Sequence, residues 1–235
     1  TSRWRLKRHA GIDFYRWMAT WAVMISRPAD IGYPDDGYEL PDLDIITHTG
    51  DSGYVQEGLL FAVPEDGLTG QRKARKAGLE WKVESLAAMV NESDEQWCVW
   101  CDYNDESEAL AAAIPDAVEV RGSDSAEKKS DAMIGFAEGR YRVIVSKPSI
   151  CGFGMNWQQC QLMAFCGLSY SYEQFYQAVR RCWRFGQDKA VKAHVFTTIQ
   201  ESASVDAINR KEEQMQETKR GMIAAMAEET ERQIS

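Results

Sequence analysis

Residues 177–187, QAVRRCWRFGQ, place Arg180, Arg181 and Arg184 within one short segment of a chain whose formal net charge is −9. Guanidinium groups this close repel one another, so the cluster is either a solvated basic turn or a site built to meet an anion. Arginine is the side chain suited to the second role. Its planar fork is always charged and can hold phosphate oxygens through two parallel bonds. Placed on one helix at about 100° per residue, Tyr176, Val179 and Trp183 fall on one side, and Gln177, Arg181 and Arg184 on another. The expectation is a helix that buries its aromatics on a sheet and presents one glutamine and two arginines together, toward a nucleotide's phosphates.

A second candidate lies upstream. VIVSKPSICGFGMNW, residues 143–157, reads as a buried strand followed by a loop of small residues. Gly152 and Gly154 would let the backbone approach a ligand, although by themselves they describe an ordinary tight turn. Ser146 and Lys147 fall at the strand's carboxyl end, where open α/β sheets place their ligands. Cys151 in the same loop is a candidate nucleophile, but the three histidines, His9, His48 and His194, offer it no evident partner. Cys98 and Cys101 have the spacing of a metal or redox pair. Residues three apart on a strand face opposite ways, which argues against both. The six cysteines lie in apolar runs and read as reduced, buried thiols of a cytoplasmic protein. Asp94 and Glu95 could suggest a metal-binding acid pair, yet they precede a strand instead of ending one, and read as a solvated loop.

These residues need a scaffold, and from residue 97 onward the pattern provides one. WCVWCDY is a strand and DESEALAAAI a helix with acids in its first turn. AVEV, RVIVS, QLMAF and VKAHVF follow as strands, separated by SDSAEKKSDAMIGFAEG and SYEQFYQAVRRCWRF as helices. The second of these helices opens on a capping box, Ser171 with Gln174. Strands alternating with helices predict α/β architecture with a parallel sheet covered on both faces. Toward the amino terminus, DFYRWMATWAVMI reads as a helix, LDIITHT and EGLLFAV as strands, and 69–91 as one long helix running from basic to apolar. The Pro/Gly/Asp-rich stretch 28–41 marks an internal boundary, and 201–219 with the tail beyond 220 reads as helical.

With 235 residues, 44% hydrophobic composition and eight tryptophans, the chain can bury a full core. No apolar run is long enough to span a bilayer, and no signal peptide opens the chain. It begins Thr-Ser-Arg-Trp, which suggests a piece of something longer. The acidic total does not exclude a nucleic-acid partner, because the cations are grouped: Arg3, Arg5, Lys7 and Arg8; Arg72, Lys73, Arg75 and Lys76; and the arginines of 180–184.

Taken in order, four blocks of the sequence resemble the second lobe of helicase-related ATPases of the Swi/Snf type. The spacing Q-x-x-x-R-x-x-R-x-G-Q is similar to their motif VI, and VIVSKPSICGFGMNW to motif V. EVRGSDSAEKKSDAMIGF resembles the strand, Gly-Ser and polar helix before it, and WCVWCDYNDESEAL stands where motif IV belongs. Two departures are a longer motif V loop stiffened by Pro148 and Trp183 in place of the more usual histidine. The resemblance implies a RecA-like three-layer domain, preceded by an irregular linker and helical segment and followed by a C-terminal helix. It divides the chain into 1–60 (end of a first lobe and linker), 61–200 (the second lobe) and 201–235 (a helical extension). It also implies Arg184 as the finger on the transferred phosphate, Arg181 as its companion, and Gln177 as the residue that orients them. Gly152, Gly154, Asn156 and Gln187 would contact ATP, while Ser146, Lys147, Ser123 and Arg121 would contact a nucleic-acid backbone. The implied partners are DNA, expected to be duplex, and the first RecA-like lobe. Phage-type members are the nearest in pattern, which implies the cytoplasm of a bacterial host.

No G-x-x-x-x-G-K-[ST] occurs in the sequence, so the cradle for ATP and its Mg ion is expected from the first lobe. The chain alone is then expected to be inactive as an ATPase. The reading set against this one is a nucleic-acid-binding or adaptor domain that keeps the fold without the motor.

Overall fold

The computed structural model describes residues 10–53, 68–152 and 154–234. Its helices are α1 (Gly11–Ala19), α2 (Leu68–Ala77), α3 (Leu79–Asn91), α4 (Asn104–Ala113), α5 (Ala126–Ala137), α6 (Pro148–Cys151), α7 (Tyr172–Val179) and α8 (Ser202–Ile234). Its strands are β1 (Leu43–Gly50), β2 (Trp97–Trp100), β3 (Ala117–Val120), β4 (Val143–Ser146), β5 (Leu162–Cys166) and β6 (Val191–Thr198). The expected strand EGLLFAV lies outside the described residues, as do the first basic cluster and His9.

The six strands form one sheet in the order β1-β6-β5-β2-β4-β3, and every neighbouring pair is parallel. This is the α/β architecture the alternating pattern predicts. β2 shows how the sequence builds it. Trp97, Val99 and Cys101 enter one apolar layer with α3 and α4, through Leu86, Val90, Leu110 and Ile114. Cys98 and Trp100 enter the opposite layer with α5 and α7, through Phe136, Phe175 and Val179. The period-two alternation of a strand thus holds the helices on both faces and sends Cys98 and Cys101 to opposite sides, as expected from their spacing. All six thiols are free and buried.

The compact unit Leu40–Ile208 holds the sheet. LDIITHT, placed in the linker by the sequence reading, enters the sheet as its edge strand, with Leu43 opposite Val191 and Gly50 opposite Thr198. The second unit comprises Thr1–Glu39 and Asn209–Ser235. Within it Arg16 donates to Glu228 at 2.8 Å, and Tyr15 lies where a side chain on Gly221 would stand.

Three expectations about helices are corrected. The single helix 69–91 is broken at Gly78, where an added Cβ would stand 2.4 Å from Thr198 Cγ2. The loop after β4 is not wholly irregular, because Pro148 starts the short helix α6. The arginine-bearing helix stops at Val179, and Phe175, Ala178 and Val179 form its buried face, while Tyr176 is exposed. The Ser171 cap is present, its hydroxyl accepting from Gln174 N at 3.2 Å.

Candidate functional site

The arginines lie in a turn between α7 and β6, and each has a different setting. The Arg180 guanidinium stacks 5.4 Å from the Trp183 ring. Arg181 turns inward and is 9% exposed. Its Nε donates to Gln177 O at 3.1 Å and its Nη1 to Met155 O at 2.9 Å, with a longer contact from Nη2 to Gln177 Oε1 at 3.4 Å. This explains where α7 ends. The Gln177 carbonyl, which a continuing helix would give to the Arg181 amide, is taken by the Arg181 side chain instead. Arg184 is partly exposed and donates from Nη1 to Asn156 Oδ1. A guanidinium carries five N–H donors, so this bond leaves others able to meet a ligand.

The turn is stitched to the glycine loop at further points. Trp157 N donates to Arg181 O at 2.9 Å, and the Trp157 ring is fully buried against Phe136 and Trp100. Gln187 donates from Nε2 to Cys160 O at 3.1 Å and accepts at Oε1 from Lys189 N at 2.9 Å. Its amide is buried, with one of its two N–H donors and its oxygen engaged by the fold. Gly152 is required by packing, because an added Cβ would stand 2.1 Å from Pro148 O. Gly154 has a φ of +85°, the left-handed region open to glycine.

The structure therefore brings together Gln177, Arg181, Arg184 and Asn156, as the motif spacing implies, but not as one helical face. Burial first, then the charge of Arg184, draws the Arg181 guanidinium below its usual value, with Arg180 adding to the effect and Cys182 opposing it. An anion arriving at Arg184 would relieve part of this repulsion. The residues fit a phosphate group on these grounds, with donors in place and uncompensated positive charge.

The residues proposed for nucleic-acid contact stand at the carboxyl ends of β3 and β4. Ser146 is 1% exposed and its hydroxyl donates to Val120 O at 3.0 Å, so it joins strands and does not face a ligand. Lys147 donates to Asn104 Oδ1 at 2.7 Å. Ser123 is exposed. Arg121 is exposed but paired, 2.7 Å from Glu119 and 3.5 Å from Glu108. Of the four, Lys147 and Ser123 are the two whose side chains are both accessible and outside an ion pair.

Sequence reasoning missed a buried charge cluster at the same end of the sheet. Arg75 donates from Nε to Glu106 Oε1 at 2.5 Å, and from Nη2 to Glu106 Oε2 at 3.0 Å and to Cys166 O at 2.8 Å. Its Nη1 reaches Asp102 Oδ2 at 3.0 Å. Lys82, fully buried, donates to Glu201 Oε1 at 2.8 Å, and Glu201 Oε2 accepts from the Thr198 hydroxyl at 2.9 Å. Burial pushes Glu106 up, but the Arg75 charge and hydrogen bonds, with Lys82, outweigh it and hold this carboxyl below its usual value. For Asp102 burial wins over Arg75, and its carboxyl is raised. Gly167, with φ +76°, makes room for the Arg75 guanidinium, which would lie 3.1 Å from an added Cβ. The cluster ties α2, α3, α4 and the end of β6 together. One legible signal was Lys82, a lysine inside the apolar stripe of α3.

Among the described residues no group of three or more His, Cys, Asp or Glu side chains is placed to hold a metal ion. No described helix is long and apolar enough to cross a membrane.

Residues 81–186, from α3 to the end of the arginine turn, match the family model of the helicase conserved C-terminal domain. Both the glycine loop and the arginine turn lie inside the matched span. Among solved structures, the C-terminal part of the Fun30 ATPase domain is similar at a TM-score of 0.49 and 17% identity, covering 54% of this chain and 44% of that one. The chain thus spans less than half the length of that structure. No curated protein matches this sequence.

Proposed function

We propose that this chain supplies the second lobe of a nucleic-acid-dependent ATPase, with Arg184 as the group that meets the transferred phosphate. The observation that carries the proposal is the joining of the two motif segments: Arg184 bonds Asn156, while Arg181 and Trp157 tie the same turn to the same loop. A change in what Arg184 touches is transmitted through Asn156 to the loop that begins at Lys147. The proposal divides the motif's roles. Arg181, Gln187 and Gly152 position the turn and loop, and Arg184 acts on the substrate.

ATP and its Mg ion would be cradled by a first lobe, and closure of the lobes would bring Arg184 to the γ-phosphate. There it would stabilise charge building on the phosphate oxygens, a role worth about three to five orders of magnitude in rate. That corresponds to about 4–7 kcal/mol of barrier. Cycles of closing and opening would move the lobes along a DNA backbone, and contacts mainly to phosphates would make binding steeply salt-dependent with little sequence preference.

The test is ATP hydrolysis, with and without duplex DNA, by this chain joined to a first RecA-like lobe. The expected result is DNA-stimulated activity that Arg184→Ala lowers by at least three orders of magnitude while nucleotide binding is kept. Activity indifferent to Arg184 would refute the assignment and favour the adaptor reading.

A further inference from the structure

The resemblance gives Arg181 the role of companion to Arg184 at the phosphate, but the structure commits Arg181 to the fold. It is 9% exposed, and its Nε, Nη1 and Nη2 all reach acceptors of the protein, on Gln177 and Met155. It could turn to a ligand only by giving up these bonds. The turn carries one more arginine. Arg180 is the capping residue at the carboxyl end of α7, and its side chain is half-buried.

Two rings hold Arg180. Its guanidinium lies 5.4 Å from the Trp183 ring and 5.8 Å from the Phe185 ring. Trp183 is itself pinned, because its Nε1 donates to Pro41 O at 2.7 Å and its ring packs against the core. Attraction to a ring face uses the charge of a guanidinium and takes up no oxygen acceptor, so the five N–H donors remain for one. Among the described residues, neither Arg180 nor Arg184 enters an ion pair. Both lie close enough to Arg181 to add to burial in drawing its guanidinium down. Three guanidinium groups therefore share one neighbourhood, and the two that reach solvent have no carboxylate. Their mutual repulsion is relieved when an anion is shared between them.

We infer that Arg180, held by Trp183, is the second cation of the turn to contact the triphosphate of the bound nucleotide, in the place that the resemblance gives to Arg181. The inference rests on the reading of the turn as a nucleotide site. The planar fork of Arg180 suits phosphate oxygens. Its rings fix it before a ligand arrives, so its contact serves bound ATP and the transition state alike. Its effect then belongs in KM, whereas that of Arg184 belongs in kcat. Trp183, which acts through Arg180, is a positioning residue.

ATP hydrolysis by this chain joined to a first RecA-like lobe, at saturating duplex DNA, tests it. Arg180→Gln should raise KM for ATP by about tenfold to a hundredfold, the worth of one charge-assisted contact, with kcat unchanged. Arg180→Lys keeps the charge and the ring contact without the fork, and should recover part of the loss. Trp183→Leu should also raise KM, and Arg180→Gln/Trp183→Leu should raise it no further than Arg180→Gln alone. Additive losses in the double variant would overturn the positioning role of Trp183. The duplex concentration that half-activates Arg180→Gln should match the parent; a shift there in place of KM would move Arg180 to the nucleic acid and overturn the inference. If Arg180→Gln lowers the thermal midpoint and leaves KM unchanged, Arg180 serves only the carboxyl end of α7, and the inference falls while the proposed function stands. If Arg184→Ala keeps full activity, the proposed role of Arg184 falls; the contact at Arg180 survives where Arg180→Gln still raises KM, and falls with it where KM is unchanged.

Discussion

Lys82→Met removes the buried ammonium while keeping a flexible apolar stem of similar length. Lys82 is fully buried, 2.8 Å from Glu201 Oε1 and 3.8 Å from Glu106 Oε1. The cluster holds two cations, Arg75 and Lys82, against three carboxylates, Asp102, Glu106 and Glu201. Loss of Lys82 takes its formal charge from −1 to −2 and leaves Glu201 with the Thr198 hydroxyl and a distant Arg75, 3.9 Å away, as its remaining partners. Breaking a buried pair from one side costs about 3–5 kcal/mol, whereas an exposed pair costs less than about 1. For a domain of this size that is a fall in Tm of roughly 6–20 °C. Near-ultraviolet circular dichroism during thermal and urea unfolding would follow it, because Trp97, Trp100 and Trp157 are buried in the two layers flanking the sheet. Lys82→Met/Glu201→Met should recover most of the loss, since it removes both charges and refills the space. A loss below about 1 kcal/mol in the single variant, or no recovery in the double, would refute the claim that this cluster anchors α3 to the end of β6.

Arg181→Ala and Arg184→Ala should separate structure from action. Arg181→Ala removes the donors to Met155 O and Gln177 O and should destabilise the lobe by roughly 2–4 kcal/mol, as buried charged hydrogen bonds are worth about 1.5–3 each; Arg184→Ala should shift stability by less than about 1 kcal/mol, with urea midpoints as the readout. Stability should also fall on acidification through the His48–His194 pair, joined at 3.0 Å between β1 and β6. Burial, then His48 and Lys192, holds His194 below its usual value. The unfolded chain therefore binds the proton first, and stability is lost as pH falls below about 6.5. Thermal midpoints at pH 7.5 and 5.5 should differ less in His194→Gln than in the parent.

The strands and their order of burial were legible because a fully apolar run such as Trp97–Cys101 has few other places to go. The motif spacing likewise placed Gln177, Arg181 and Arg184 near one another. What the spacing concealed was the conformation. Nothing in QAVRRCWRF is a helix-stop residue, and the stop comes from Arg181 taking a carbonyl and from Trp157, a residue of a distant loop, taking another. Angular arithmetic assumes that the helix continues, so it put Tyr176 on the buried face, whereas Tyr176 is exposed; Trp183 does pack against the core, and its Nε1 donates to Pro41 O at 2.7 Å. The charge cluster was hidden for a related reason. Arg75 and Glu106 are 31 residues apart and Lys82 and Glu201 are 119 apart, and no local pattern reports such pairs.

Net charge is an average and does not report how two cations, Lys147 and Arg184, are linked through one connecting segment. β4 ends at Ser146 and its parallel neighbour across β2, β5, begins at Leu162, so the segment between them must travel from the carboxyl edge of the sheet to the amino edge. It leaves from Lys147 and passes Gly152, whose closeness to Pro148 admits no side chain. It reaches Asn156, bonded to Arg184, and is anchored by Trp157 in the core. One short segment is therefore bonded at its start through Lys147 to Asn104 and near its end through Asn156 to Arg184. In the proposed motor that segment is the physical link between phosphate at Arg184 and backbone at Lys147. A loosened loop should then uncouple the two before it abolishes either.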